Sequence, residues 1–130
     1  MKYYECKTCG NIIVLFEDSG VTPVCCGSTM VELMPQDSDG SYEKHVPVIE
    51  TNGDEIKITV GEQLHPMLDE HYIKWIVLET DKGKYIRDLK PGQEPIVIFK
   101  LWDKEVPQAA YEYCSVHSLW GKKYEKKDNS

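Results

Sequence analysis

The chain has 130 residues, 41% of them apolar and 28% charged, with a formal net charge of −7. Those are globular values, enough for one ordinary domain or a small domain beside a larger one. The negative sign argues against nucleic acid, whose phosphates it would repel, and the longest apolar run, residues 12–16, is far too short to cross a bilayer. With no apolar stretch behind Met1-Lys2-Tyr3-Tyr4-Glu5, the expectation is a cytoplasmic protein with no membrane partner.

Five cysteines are an odd number, which in an unexported chain points to metal or redox duty rather than a disulfide framework. Four of them fall in Cys6-Lys7-Thr8-Cys9-Gly10 and Val24-Cys25-Cys26-Gly27, on either side of the strand-like Asn11-Ile12-Ile13-Val14-Leu15-Phe16. Cys-x-x-Cys followed by glycine reads as a metal knuckle, because glycine lets the backbone turn and aim amides at sulfur. A zinc ribbon would return a second Cys-x-x-Cys. Here the second pair is adjacent, and neighbouring side chains cannot converge on one ion without backbone distortion. So short a segment cannot bury enough apolar surface to fold unaided, which makes metal binding and folding one event. The donor set suits a structural zinc, a redox dithiol, or an iron that cycles between ferrous and ferric among four thiolates. Dithiol exchange would require a low-pKa cysteine at a helix start, and no helix signal lies there.

Gln36-Asp37-Ser38-Asp39-Gly40-Ser41-Tyr42 is polar and rich in turn formers, so a linker is expected over 36–42, between a domain of residues 1–35 and one of residues 43–130. Beyond it the pattern is strand after strand. Glu55-Ile56-Lys57-Ile58-Thr59-Val60 alternates polar and apolar after a turn at Asn52-Gly53. Residues 71–79 are apolar on both faces towards their end, as in a central strand, and Asp81-Lys82-Gly83 turns the chain into 84–88. Residues 96–102 and 109–114 complete the set, and the charged tail after Gly121 is expected to fray. Short strands at this spacing predict an all-β chain whose larger domain is a sandwich of about seven strands.

The four histidines, His45, His65, His71 and His117, all follow residue 42, and Cys114 stands three residues before the last. Imidazoles beside a thiolate favour a transition metal over magnesium or calcium. A structural zinc is satisfied by four ligands, so five donors suggest a plane of nitrogens, an axial sulfur and one vacant position. On spacing alone the competing reading is that scattered histidines do unrelated work.

Taken together these motifs resemble the desulfoferrodoxins, two-iron superoxide reductases of the rubredoxin oxidoreductase family, and the match spans nearly the whole chain. The N-terminal part is similar to desulforedoxin through Cys6, Cys9, Cys25 and Cys26. The C-terminal part is similar to the neelaredoxin-like catalytic domain, an immunoglobulin-like β-sandwich, through Glu43-Lys44-His45-Val46-Pro47, His65-Pro66-Met67, His71-Tyr72-Ile73 and the Cys114 to His117 motif. The resemblance implies two irons per chain: one on the four cysteines, the other on four equatorial imidazoles and the axial sulfur of Cys114. It implies superoxide as substrate, rubredoxin or a similar donor, a homodimer, and a part for Glu43 as the anion that occupies the sixth position after oxidation. Lys44, beside His45, is expected to attract the anionic substrate and order proton-donating water. One departure is visible: the family often reads Cys-Asn-x-His-Gly in the last motif, where this chain has Ser115 and Ser118. The alternative is a non-catalytic electron carrier, or a zinc-stapled interaction protein whose histidines present no open face.

Overall fold

The computed structural model describes residues 1–38, 44–61 and 63–126, so Glu43 and most of the expected linker lie outside the described residues. Contacts divide the chain into two units, Met1–Met34 and Pro35–Ser130. Every regular element among the described residues is a strand.

In the first unit β1 (Tyr3–Glu5) pairs antiparallel with both β2 (Ile12–Val14) and β5 (Val31–Leu33). A separate hairpin joins β3 (Val24–Cys25) to β4 (Ser28–Thr29). One core cluster is Tyr4, Cys6 and Met30, with Ile13, Leu15 and Cys25 packed against it, and Tyr3 and Leu33 are buried as well. Two of the six in that cluster are metal-type cysteines, so the unit has little apolar surface to fold around without a staple, as a segment of this size predicts.

Among the described residues the second unit holds seven strands in two sheets, matching the expected sandwich. One sheet has β6 (Pro47–Asn52), β7 (Glu55–Val60) and β10 (Ile96–Lys100) in the order β10-β7-β6; the other has β8 (Ile73–Thr80), β9 (Lys84–Asp88), β11 (Pro107–Cys114) and β12 (Ser118–Lys123) in the order β12-β11-β8-β9. The crossings from β9 to β10 and back to β11 are Greek-key connections of the immunoglobulin-like kind. In β7 the alternation read from sequence is realised: Ile56, Ile58 and Val60 are buried. They meet Val97, Phe99 and Leu101 and, from the facing sheet, Ile73, Ile76, Leu78, Ala110 and Cys114. Fully burying one such aliphatic side chain contributes roughly 1.5–3 kcal/mol. Cys114 therefore belongs to the apolar core as well as to the end of a strand.

Two expectations are corrected. The expected frayed tail does not begin at Gly121: β12 runs to Lys123 and pairs with β11 from Cys114↔Ser118 to Ala109↔Lys123, while residues 127–130 lie outside the described residues. It reads as a tail because an edge strand carries lysines on its open side, the usual guard against edge pairing. Nor does a strand begin at His71, which closes a turn bridged to Leu68 before β8 starts at Ile73.

Candidate metal centres

The Cys6-x-x-Cys9 knuckle is closed by backbone hydrogen bonds from Gly10 N–H to Cys6 O (2.9 Å) and from Cys6 N–H to Asn11 O (2.8 Å), with Gly10 at φ +83°. This geometry turns the Cys9 amide towards Cys6 Sγ, 3.4 Å away. The adjacent pair is accommodated where distortion was expected. Cys25 pairs with Ser28, so Cys26 and Gly27 form a two-residue hairpin turn with both φ values positive, 53° and 74°. That is the type I′ signature, and the left-handed Cys26 brings its sulfur to within 3.9 Å of Cys25 Sγ instead of the opposite face. Cys9 Sγ lies 3.6 Å from Cys25 Sγ, and all four sulfurs fall within 4.8 Å of one another.

A tetrahedron of metal–sulfur bonds of about 2.3 Å has edges of about 3.8 Å, which these separations match. The protonation of the bare cluster points the same way. The backbone N–H of Cys9 pulls the Cys6 thiol down to about 6. Hydrogen bonding with Cys9, then with Cys6 and Cys25, pushes Cys26 up to about 12. Cys25 is raised as well, first by its hydrogen bond with Cys6. Thiolates this close repel one another, and a bound cation is what lets several of them ionise together. No disulfide joins any of the five cysteines.

The second cluster gathers at one end of the sandwich. His45 precedes β6, His65 follows β7, His71 precedes β8, Cys114 ends β11 and His117 lies in the turn to β12. Antiparallel pairing brings these strand ends together. His45 Nε2 is 3.1 Å from His65 Nε2 and 3.1 Å from His117 Nδ1. Ring contacts close the circuit: His65 meets His71 at 4.7 Å between centroids, and His71 meets His117 at 5.2 Å. The cyclic order is thus His45, His65, His71, His117. Cys114 Sγ lies 3.5 Å from His65 Nε2 and 3.8 Å from His117 Nδ1.

Metal–nitrogen bonds of about 2.1 Å at right angles set neighbouring nitrogens about 3.0 Å apart, which the two edges at His45 match; the donor atoms of His45, His65, His71 and Cys114 lie within 4.8 Å of one another, and His117 joins them through its 3.1 Å approach to His45. His65 donates Nδ1–H to Pro66 O at 2.7 Å, which fixes its tautomer and leaves Nε2 as a lone-pair donor facing the cluster. Cys114, His45 and His65 are buried, His71 is half-buried and His117 is exposed, so the exposed edge of the cluster is at His117.

Ser115 has a local role. Its N–H is donated to Tyr72 O (2.9 Å) and its Oγ accepts the Tyr72 N–H (3.0 Å), tying the last motif to the residue after His71. That first amide after the cysteine is committed to Tyr72, not to the sulfur. Ser118 sits at φ +71°, a left-handed conformation in which glycine is at ease and serine is not. Lys44 is half-buried beside His45. No motif singles out Gln36, Gly61 or Trp120, yet each touches the ligand loops. Trp120 stacks on His45 at 4.5 Å, with 13° between planes.

The family model described as Desulfoferrodoxin matches residues 37–123, and the one described as Desulfoferrodoxin, N-terminal domain, matches residues 1–34. The chain belongs to the desulfoferrodoxin family. The desulfoferrodoxin of Nitratidesulfovibrio vulgaris is 43% identical over 117 residues, 90% of this chain and 91% of the relative. Among solved structures, the superoxide reductase from Treponema pallidum superposes with a TM-score of 0.79 at 30% identity, covering 93% of this chain and 96% of that one. The superoxide reductase (1Fe-SOR) from Giardia intestinalis covers 65% of this chain and 99% of its own, with a TM-score of 0.57 at 32% identity. Desulfoferrodoxin membership accounts for both clusters at once, since the two family models divide the chain as the two clusters do.

Proposed function

We propose that this chain is a superoxide reductase with two irons, one on Cys6, Cys9, Cys25 and Cys26, the other on His45, His65, His71, His117 and Cys114. The observation that carries this reading is the closed circuit of four imidazoles around a buried sulfur with one exposed member. Related structures that share the fold carry the name superoxide reductase. A ferrous ion at the histidine cluster would supply the single electron that superoxide needs. Superoxide takes that electron and two protons and leaves as hydrogen peroxide.

Neutral imidazoles and a single thiolate leave a ferrous site with one net positive charge by formal counting, a local attraction for an anion within a chain of charge −7. Lys44 adds to that attraction and orders the water that delivers protons. Burial keeps the Cys114 sulfur from water, preserving it as an electron-rich donor. With iron bound, Glu43 would be the carboxylate available to it after oxidation. An external donor such as rubredoxin would then restore the ferrous state, and Cys6, Cys9, Cys25 and Cys26 would hold a candidate relay.

The domains are taken as residues 1–35 and 43–130 joined over 36–42; the contact division after Met34 supports a break near this point, with Gln36 itself already bridged to Trp120 of the second unit. A cytoplasmic setting suits five cysteines outside any disulfide. A homodimer is part of the proposal: Phe16, Val21, Val24 and Met34 of the small unit are exposed apolar side chains that a second copy could cover. Metal analysis of anaerobically purified protein tests the reading. Two irons per chain are expected; two zincs contradict it.

A further inference from the structure

His117 is the one exposed side chain of its cluster and lies in a turn, so burial in the core does not fix it. Its carbonyl does the anchoring. It accepts the Gln36 side-chain amide at 2.8 Å and the Trp120 indole N–H at 3.1 Å. The Gln36 amide also reaches Leu119 O at 3.3 Å. The main chain of Gln36 is grafted beside Trp120 in a parallel bridge, with its N–H on Leu119 O (3.0 Å) and its carbonyl accepting the Gly121 N–H (2.9 Å). A residue that composition assigns to the linker is thus the side chain that clamps the most exposed ligand.

We propose that Gln36 is a positioning residue of the histidine centre: its side-chain amide holds the His117 carbonyl and thereby aims Nδ1 at the other four donors. The inference rests on the proposed iron site at that cluster. Groups that orient a ligand from behind typically change metal affinity 10–100-fold when removed. Gln36 acts on the backbone of the ligand and shares the task with Trp120, so the lower end applies, about tenfold.

Because the main-chain bonds of the graft survive any side-chain change, Gln36→Glu and Gln36→Leu are suitable variants. The first keeps length and shape but has no N–H to donate; the second keeps only bulk. In the full-length chain, the expected result is about tenfold faster loss of iron from the histidine centre to a chelator. The ferric absorption of that centre should shift, while absorption of the four-cysteine iron serves as an unmoved internal reference. Unchanged iron retention and an unchanged ferric spectrum in both variants overturn the inference, and so does a lowered melting temperature alone, which marks Gln36 as a stitch in the fold and nothing more. A wild-type histidine cluster that takes up no iron refutes the proposed function and the inference with it; wild-type uptake with indifferent variants refutes the inference alone.

Discussion

Gly61 stands where β7 ends and the loop to His65 begins, buried and at φ +84°. Its N–H is donated to Val46 O at 3.3 Å. A Cβ there would lie 2.5 Å from Lys44 O, 2.5 Å from Gln63 O and 2.8 Å from Lys44 Cβ. Ordinary contact begins at 3.4 Å, so Gly61→Ala must displace backbone by as much as 0.9 Å (3.4 − 2.5) within one residue of His45 and two of His65. Misplacement of about 1 Å near reacting groups costs on the order of 10²-fold in rate. Gly53→Ala is the control: φ is +64° but nothing lies within 4 Å of the added carbon. Both substitutions carry about 1–2 kcal/mol of left-handed strain; only the first pushes the ligand loops. The assay is the second-order rate with superoxide against ionic strength, with Lys44→Ala in parallel. Gly53→Ala should keep the wild-type rate at a lower melting temperature. Gly61→Ala should lose about 10²-fold and Lys44→Ala about tenfold, with a flattened salt dependence. Equal rates in the two glycine variants would refute the steric reasoning, and an unchanged rate and salt slope in Lys44→Ala would remove that lysine from the account.

Glu43→Ala should alter the electronic and vibrational spectra of the oxidised histidine centre, and identical spectra would show that Glu43 is no ligand. Ser118→Gly should relieve left-handed strain and raise stability by about 1 kcal/mol in chemical denaturation, with activity retained. Tyr85 donates to Glu105 Oε1 at 2.6 Å, and that bond, with burial and the Glu105 charge, pushes the phenol up to about 12 from 10.0. A raised folded-state value means this contribution to stability is full below pH 10 and is lost as pH rises through about 12. Melting temperature followed from pH 9 upwards should therefore fall less steeply in Tyr85→Phe than in wild type, and parallel curves would contradict the coupling.

Both donor clusters were legible as candidates because cysteines and histidines are rare residues whose chemistry survives without a fold, and the family resemblance, not spacing, joined the four histidines and Cys114 into one set. Legible too was β7, whose strict alternation announces a half-buried strand. The distortion demanded by Cys25-Cys26 was also foreseeable, and it appears as the positive φ of Cys26. What escaped was set by partners distant in sequence. Lys122 and Lys123 look like a solvated tail until β11 supplies their ladder. Gln36 looks like linker until His117 and Leu119 offer carbonyls 81 and 83 positions away. Gly61 looks like any turn glycine until the Lys44 backbone is laid against it. His71 was placed in a strand because Tyr72-Ile73 continues into one, whereas its own backbone closes a turn on Leu68.

The most direct test of the account is product stoichiometry when superoxide is delivered anaerobically to the fully reduced protein. One hydrogen peroxide per superoxide consumed, one histidine-centre iron oxidised each time and no oxygen evolved are expected. Peroxide at half that yield with oxygen released, or a histidine centre left ferrous by superoxide, would contradict it.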